Sequence, residues 1–229
     1  MQNKINLERG FSTPEFEERL IKAQEIMRHY KLDGLLVTTP QNIRYFTGYD
    51  SQFWESPTRP WFVVVPASGK PIGIVPEIGE SEFKKTWLED IRTWPSPRPE
   101  DEGISIVQST LEDLKKIHGQ IGAEFGKEMA IRMPVRDLFK LKEILKTNIV
   151  DGSDAIWEMR MIKTNAEVER IKHICSIASD AYYDLPSKLN IGDTEREAVN
   201  KLKIDIINRG ADNVPFMPGI SGKGGVSQI

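Results

Sequence analysis

The fold is decided by residues 41–66, which read QNIRYFTGYDSQFWESPTRPWFVVVP. At the start of this stretch we expect a turn or strand end, because Pro40 fixes its own φ and Asn42 favours local side-chain hydrogen bonds. Ile43, Tyr45 and Phe46 then predict a strand. The run at residues 61–65 is apolar without interruption and is bounded by prolines. Such a run predicts a strand that is buried on both faces.

The loop at residues 49–59 joins these two predicted strands and carries aromatic groups close to an arginine. Its candidate substrate-binding residues are Gln52, Phe53, Trp54 and Arg59. Aromatic side chains beside an arginine in a loop between core strands are typical of a recognition edge. The alternative is that Phe53 and Trp54 cover the end of the sheet, with Arg59 in a surface ion pair.

Composition limits the class of protein. The chain has 229 residues, of which 39% are hydrophobic and 28% charged, with a formal net charge of −3. These values predict a globular protein of one large or two ordinary domains. They exclude a basic stripe for nucleic acid. Without a window of 18 apolar residues or a leader-like apolar segment, we expect no membrane association and a cytoplasmic location.

Residue types that carry chemistry are sparse. A single cysteine, Cys175, excludes an internal disulfide framework and lies in a helical apolar pattern that predicts a buried, inert thiol. His29, His118 and His173 are far apart in the sequence, which favours surface histidines over metal ligands. The residues alone therefore assign no catalytic group and no metal ligand.

Hydrophobic periodicity predicts alternating strands and helices up to residue 150. Strands are expected at residues 35–38, 61–65, 71–76, 91–94, 120–125 and 148–150, and helices at 14–30, 77–88, 103–119 and 134–145. This order predicts an α/β domain whose sheet is mixed, because a turn at residues 68–70 creates a hairpin.

The hydrophobic pattern of the sequence changes after Asp151. A long helical pattern at residues 155–181 is interrupted near residue 164, where Thr164 and Glu167 form a capping box. Another helix is expected from Gly192 to Gly210, and residues 211–229 predict a strand and a turn. The sequence therefore divides into a domain at residues 1–154 and a second one that begins at residue 155.

Three segments together resemble the creatinase and Xaa-Pro aminopeptidase (prolidase) family of pita-bread metallohydrolases. The first is LDGLLVTTPQNIRYFTGYD at residues 32–50, which is similar to the family's N-terminal domain pattern. The second, WEMRMIKTNAEV at residues 157–168, resembles the junction that opens the catalytic domain. The third comprises residues 192–195 and the glycine-rich turn at residues 218–225, so the resemblance covers essentially the whole chain.

The resemblance implies an α/β N-terminal domain with a ribonuclease-H-like mixed sheet, followed by an α+β pita-bread catalytic domain. It further implies a homodimer and hydrolysis of a C–N bond in an Xaa-Pro peptide, with creatine or an ectoine-type small amide as alternative substrates. Two divalent metal ions (Mn, Zn, Co or Fe) activate water in such enzymes. In that setting Arg59 is expected to pair with a substrate carboxylate, and Phe53 and Trp54 to wall the site.

The family's metal ligands follow the glycine-rich turn, so we expect a fragment with an incomplete catalytic domain that ligates no metal and is inactive alone. Four apolar side chains of this part are expected to need a sheet that is missing: Ile174, Ile177, Leu202 and Ile206. The alternative is a non-catalytic dimerisation or binding module. Metal content distinguishes the two.

Overall fold

The computed structural model describes residues 9–56 and 59–221, except the side chain of Glu55. Two compact units share the chain, one at residues 8–162 and the other formed mainly by residues 163–229. In the first unit the strands are β1 (Gly34–Val37), β2 (Phe62–Pro66), β3 (Ile72–Pro76), β4 (Asp90–Trp94), β5 (Gln120–Ala123) and β6 (Asn148–Asp151). Its helices are α1 (Thr13–His29), α2 (Pro40–Thr47), α3 (Glu77–Phe83), α4 (Ile104–Asp113), α5 (Val135–Ile144) and α6 (Ser153–Met161).

The six strands form one mixed sheet in the order β4-β3-β2-β1-β5-β6. The strand β2 is antiparallel to both of its neighbours, whereas β1, β5 and β6 are mutually parallel. The predicted hairpin is therefore the β2–β3 pair, and the predicted α/β class with a mixed sheet is confirmed.

Alternate side chains of the central strands enter two separate cores, as the period of two in a strand requires. Val63 and Val65 pack on the face covered by α1, α2 and α6, whereas Phe62 and Val64 pack with α4 and α5. All five residues of β2 are buried, so the prediction of a strand buried on both faces is confirmed.

The strand predicted at Ile43, Tyr45 and Phe46 is wrong, because these residues belong to helix α2. Pro40 occupies the first turn, where its missing N–H costs nothing, and Gly48 ends the helix with φ of +76°. The helix has only eight residues. Such a length is too short for its apolar spacing to be told from that of a strand.

Helix α4 is shorter than the pattern at residues 103–119 predicts. It ends at Asp113, because the Asp33 carboxylate accepts hydrogen bonds from the backbone N–H groups of Ile117, His118 and Gly119. These bonds hold the following segment as a loop that leads into β5. Burial raises the pKa of Asp33, but the backbone hydrogen bonds lower it by more, so the pKa is below its usual range.

The unit at residues 163–221 contains helices α7 (Asn165–Asp184) and α8 (Glu195–Asn208) with a 3-10 helix, Leu185–Lys188, between them. The capping box of Thr164 and Glu167 is confirmed, and Thr194 forms a second one. Residues 211–221 form no strand, so this part of the prediction is wrong. The second half of the glycine-rich turn, residues 222–225, lies outside the described residues.

Two predictions about the burial of side chains in α7 and α8 are wrong. Cys175 is exposed, because it faces away from the contact between α7 and α8. Ile177, Leu202 and Ile206 are buried against each other in that contact and need no further sheet, whereas Ile174 is 43% exposed as expected.

The first unit extends to Ile162, whereas the sequence places the end of the N-terminal domain at residue 154. The difference is helix α6, whose Ala155, Ile156 and Met159 are buried in the core below α1 and α2.

Among the described residues, no helix is long and apolar enough to cross a lipid bilayer.

Candidate functional site

The candidate site lies at the carboxyl ends of β1 and β5, where ligands commonly bind in α/β sheets. A cavity of about 310 Å³ opens here, which we call the Trp54 cavity. Its lining consists of Thr38, Phe53, Trp54, Ser56, Arg59, Pro60, Trp61, Ile131, Arg132, Met133 and Pro134. Three of the four predicted site residues therefore meet around one cavity.

Phe53 and Trp54 belong to a 3-10 helix, Gln52–Glu55, that begins with the Ser51 hydroxyl accepting a hydrogen bond from the Phe53 N–H. Trp54 packs edge-on against the buried Trp61 at 5.4 Å, and Phe53 stacks on the same indole at 6.2 Å. We call Phe53, Trp54 and Trp61 the aromatic wall. Gln52 is exposed on the same helix and is not part of the lining.

The aromatic wall covers the end of the sheet, as one of the two alternatives predicts, and the other alternative, contact with a ligand, stays a prediction. Trp61 is 3% exposed and also stacks on Tyr49 at 5.2 Å, so the wall closes the core at this end of the sheet. Phe53 remains 39% exposed and faces the cavity lining. The same side chains thus cover the end of the sheet and present a flat apolar surface.

Arg59 is half-buried in the lining and lies close enough to Glu102 for its charge to act on that carboxyl group. Burial raises the pKa of Glu102, but hydrogen bonds from the Trp94 indole, the Arg98 N–H and the Ser96 hydroxyl lower it below its usual range. The positive charge of Arg59 lowers it further.

We expect Glu102 to make the protein less stable in acid. Its folded-state pKa is below the reference value of 4.5, so its contribution is present above about pH 4.5 and is lost as the pH falls through the folded-state pKa. Urea unfolding from pH 3 to 7 measures this. The Glu102→Gln variant should lose part of the pH dependence, whereas Glu143→Gln, which changes an exposed residue, should keep the wild-type slope. Identical slopes in all three proteins would contradict the expectation.

Arg132 was not identified from the sequence, although it links the cavity to the sheet. Its backbone N–H donates to the Thr38 hydroxyl at 2.9 Å, and its Nη2 donates to the carbonyl oxygens of Trp54 at 2.5 Å and Ser56 at 3.5 Å. No local pattern could reveal these bonds, because the partners are more than 70 residues apart in sequence.

Beneath Thr38 lies a buried carboxylate that the sequence analysis also missed. Glu124 is 0% exposed. Its Oε2 accepts from the N–H and hydroxyl of Thr38 at 2.6 and 2.8 Å and from the Thr39 N–H at 2.9 Å. Its Oε1 accepts from the Thr39 hydroxyl and the Asn42 amide, both at 2.5 Å.

The Glu124 network also fixes the start of α2 and the end of α6. Thr39 is the N-cap of α2, where a negative charge is favourable. The side-chain Oδ1 of Asn42 accepts a hydrogen bond of 2.6 Å from Arg160 Nη1. The signal in the sequence was a lone glutamate at the end of the apolar strand IGAEF, since a buried acid requires donors nearby.

The arrangement suits a ligand that carries both an apolar group and a carboxylate. The aromatic wall offers a flat surface, and the guanidinium group of Arg59 can bind a carboxylate in a bidentate way. Among residues 9–56 and 59–221, no group of three or more His, Cys, Asp or Glu side chains is placed to hold a metal ion. This part of the chain therefore does not fit a two-metal centre.

An α/β domain with a mixed six-stranded sheet, followed by a helical segment, defines the class of protein, and comparison with known proteins defines its family. Residues 19–162 match the model of the Creatinase/Prolidase N-terminal domain. The chain therefore belongs to the creatinase/prolidase N-terminal domain family.

Two curated relatives are identical to this chain at about a quarter of the aligned positions. An uncharacterized peptidase of Staphylococcus saprophyticus is 25% identical over 202 residues, which cover 86% of this chain and 52% of the relative. The Xaa-Pro dipeptidase of Pyrococcus furiosus is 24% identical over 200 residues, covering 87% and 51%. The chain thus spans about half the length of the curated relatives it matches.

Solved structures support the fold. The prolidase from Thermococcus sibiricus aligns with a TM-score of 0.74 and 24% identity over 92% of this chain and 55% of that one. The dipeptidase PepE from Mycobacterium ulcerans aligns with a TM-score of 0.70 and 23% identity, over 90% and 53% of the two chains.

Proposed function

We propose that this chain is the N-terminal domain and the beginning of the catalytic domain of a metal-dependent hydrolase that cleaves a C–N bond. The proposed substrate class is the Xaa-Pro peptide, so the enzyme is an Xaa-Pro dipeptidase or aminopeptidase. Membership of the creatinase/prolidase N-terminal domain family supports this class. The relative from Pyrococcus furiosus is named an Xaa-Pro dipeptidase, which supports the substrate.

The observation that carries the proposal is the Trp54 cavity, in which Phe53, Trp54 and Arg59 come together. An Xaa-Pro dipeptide ends in an apolar ring with an attached carboxylate. The aromatic wall suits the ring by apolar contact, and Arg59 suits the carboxylate by charge-assisted hydrogen bonds. Gln52 is exposed beside the wall, and its proposed role is a polar contact with the substrate or with a second subunit.

In this proposal the N-terminal domain serves homodimerisation and substrate gating, with the Trp54 cavity bordering the active site of the partner subunit. Two divalent ions (Mn, Zn, Co or Fe) would activate a water molecule and polarise the scissile carbonyl in the whole enzyme. Their ligands are not supplied by the described residues. What this chain contributes is binding and orientation of the substrate and exclusion of water by the aromatic wall.

Two alternatives use the same cavity differently. A creatinase-type or ectoine-derivative-type hydrolase would hold a small amide whose carboxylate pairs with Arg59, and the cavity volume suits such a ligand as well. As the chain stands, a non-catalytic dimerisation or binding module would use the exposed Phe53 and Gln52 as contact residues. A substrate screen with Xaa-Pro dipeptides, creatine and small acyl amides distinguishes the three.

Replacing Arg59 with alanine tests the role of the cavity. We expect the KM for an Xaa-Pro dipeptide to rise about 10- to 100-fold in the protein at its native length, because a charge-assisted contact is lost. Thermal stability should stay near that of the wild type, since Arg59 is not part of the buried core. The control is Arg28→Ala, which removes an exposed charge of helix α1. Unchanged kinetics in Arg59→Ala would refute the contact.

A further inference from the structure

Arg132 connects the two layers of the candidate site. On one side its backbone N–H donates to the Thr38 hydroxyl, whose own proton is donated to the buried Glu124. On the other side its guanidinium group reaches the carbonyl oxygens of Trp54 and Ser56. A continuous series of hydrogen bonds therefore leads from the sheet to the segment that carries the aromatic wall.

The segment at residues 51–56 contains one short helical turn. Its 3-10 helix has four residues; the Trp54 N–H donates to the Ser51 carbonyl at 3.4 Å, and the Ser56 N–H donates to the Phe53 carbonyl at 3.1 Å. The last carbonyl groups of such a helix lack partners within the helix and need them from elsewhere. The carbonyl oxygens of Trp54 and Ser56 accept hydrogen bonds from the guanidinium group of Arg132.

The side-chain contacts of Trp54 and the backbone contacts of its segment have different roles. Trp54 packs on Trp61 and Tyr49 and donates its indole N–H to Asp50, which is in the same exposed loop. These contacts orient the indole ring. The backbone of the segment is tied to the carboxyl-end edge of β1 and β5 by Arg132.

We propose that Arg132 is a positioning residue, which holds the segment 51–56 and its aromatic wall at the distance from β1 and β5 that keeps the Trp54 cavity open. The planar guanidinium group suits this role because its N–H donors are held in a fixed plane, and one nitrogen, Nη2, lies within 3.5 Å of both carbonyl oxygens. A lysine also carries several N–H donors, but its flexible stem holds them less firmly in place. Only the effect on catalysis rests on the proposed function; the tether itself does not.

Amide hydrogen exchange of the protein, measured by mass spectrometry, tests the tether without any assay of activity. In Arg132→Ala we expect exchange in residues 51–56 to accelerate about tenfold, while β1, β5 and the thermal midpoint stay close to wild type. Arg132→Lys should give an intermediate rate. The matched control is Arg136→Ala, four residues further on in α5, because the Arg136 side chain is 81% exposed and lies 3.5 Å from the carboxylate of the neighbouring Asp137.

Two results would overturn the tether: exchange in residues 51–56 that equals wild type in Arg132→Ala, or acceleration spread over the whole sheet, which would indicate a merely structural residue. In the protein at native length, Arg132→Ala should also raise the KM for Xaa-Pro dipeptides about tenfold with kcat within twofold. An exchange effect without a KM effect would retain the tether and count against the substrate role of the cavity. The failures of the two proposals are thus distinguishable.

Discussion

Glu124→Ala is expected to lower the free energy of unfolding by about 3–5 kcal/mol. The substitution removes the acceptor of five hydrogen bonds and leaves their donors buried, since Thr38, Thr39 and Asn42 are all less than a tenth exposed. Buried donors without acceptors cost more than the bond itself contributed. Urea unfolding followed by circular dichroism measures the change.

Glu124→Gln separates charge from shape. The amide keeps the volume of the carboxyl group but offers one acceptor oxygen, and its NH2 group would face other donors, so we expect about half the loss of the alanine variant. Glu143→Ala, in the exposed surface of α5, should change stability by no more than about 0.5 kcal/mol. A Glu124→Ala variant as stable as Glu143→Ala would contradict the description of the network.

Trp61→Ala is expected to lower the free energy of unfolding by about 3–5 kcal/mol, because it removes the buried member of the aromatic wall and leaves a cavity in its place. The indole of Trp61 contacts Tyr49, Trp54 and Phe83 and leaves little room for adjustment. The Cβ of an alanine at Gly79 would lie only 2.0 Å from this ring, which indicates how closely the helix α3 is packed on it. Thermal or urea unfolding measures the loss.

A comparison of two buried tryptophans isolates the packing contribution. The Trp94 indole donates to Glu102 at 2.8 Å, whereas the indole nitrogen of Trp61 has no hydrogen-bond partner among the described residues. We therefore expect Trp61→Phe to cost less than Trp94→Phe, by about 1 kcal/mol, the contribution of one hydrogen bond. The opposite order would show that Trp61 depends on a polar contact.

Much of the fold could be predicted from the sequence where a signal is local. The continuous apolar run of β2, the hairpin to β3 and the capping box at Thr164 each depend on residues close in sequence. Helix α2 could not be predicted in this way, because its apolar residues are buried against α1 and the sheet, which are distant in sequence. The early end of α4 is likewise due to Asp33, which is about 80 residues away in sequence.

The same distinction applies to the candidate site. Phe53, Trp54 and Arg59 were identified because they lie within one short loop, and the structure places them around one cavity. Arg132 and Glu124 act through partners from 76 to 94 residues away. Their charge in or beside apolar segments is a hint of buried partners, but only the sheet topology brings β5 next to β1 and so decides which partners these are.

Hydrolysis of dipeptides by the purified protein at its native length tests the central claim most directly. The assay compares Xaa-Pro dipeptides with the matching Xaa-Ala dipeptides, before and after removal and readdition of manganese. We predict cleavage of the Xaa-Pro peptides that is lost on metal removal, restored by manganese, and at least tenfold faster than cleavage of the Xaa-Ala peptides. Equal cleavage of both peptides, or no cleavage at any metal concentration, would contradict the proposed Xaa-Pro peptidase function.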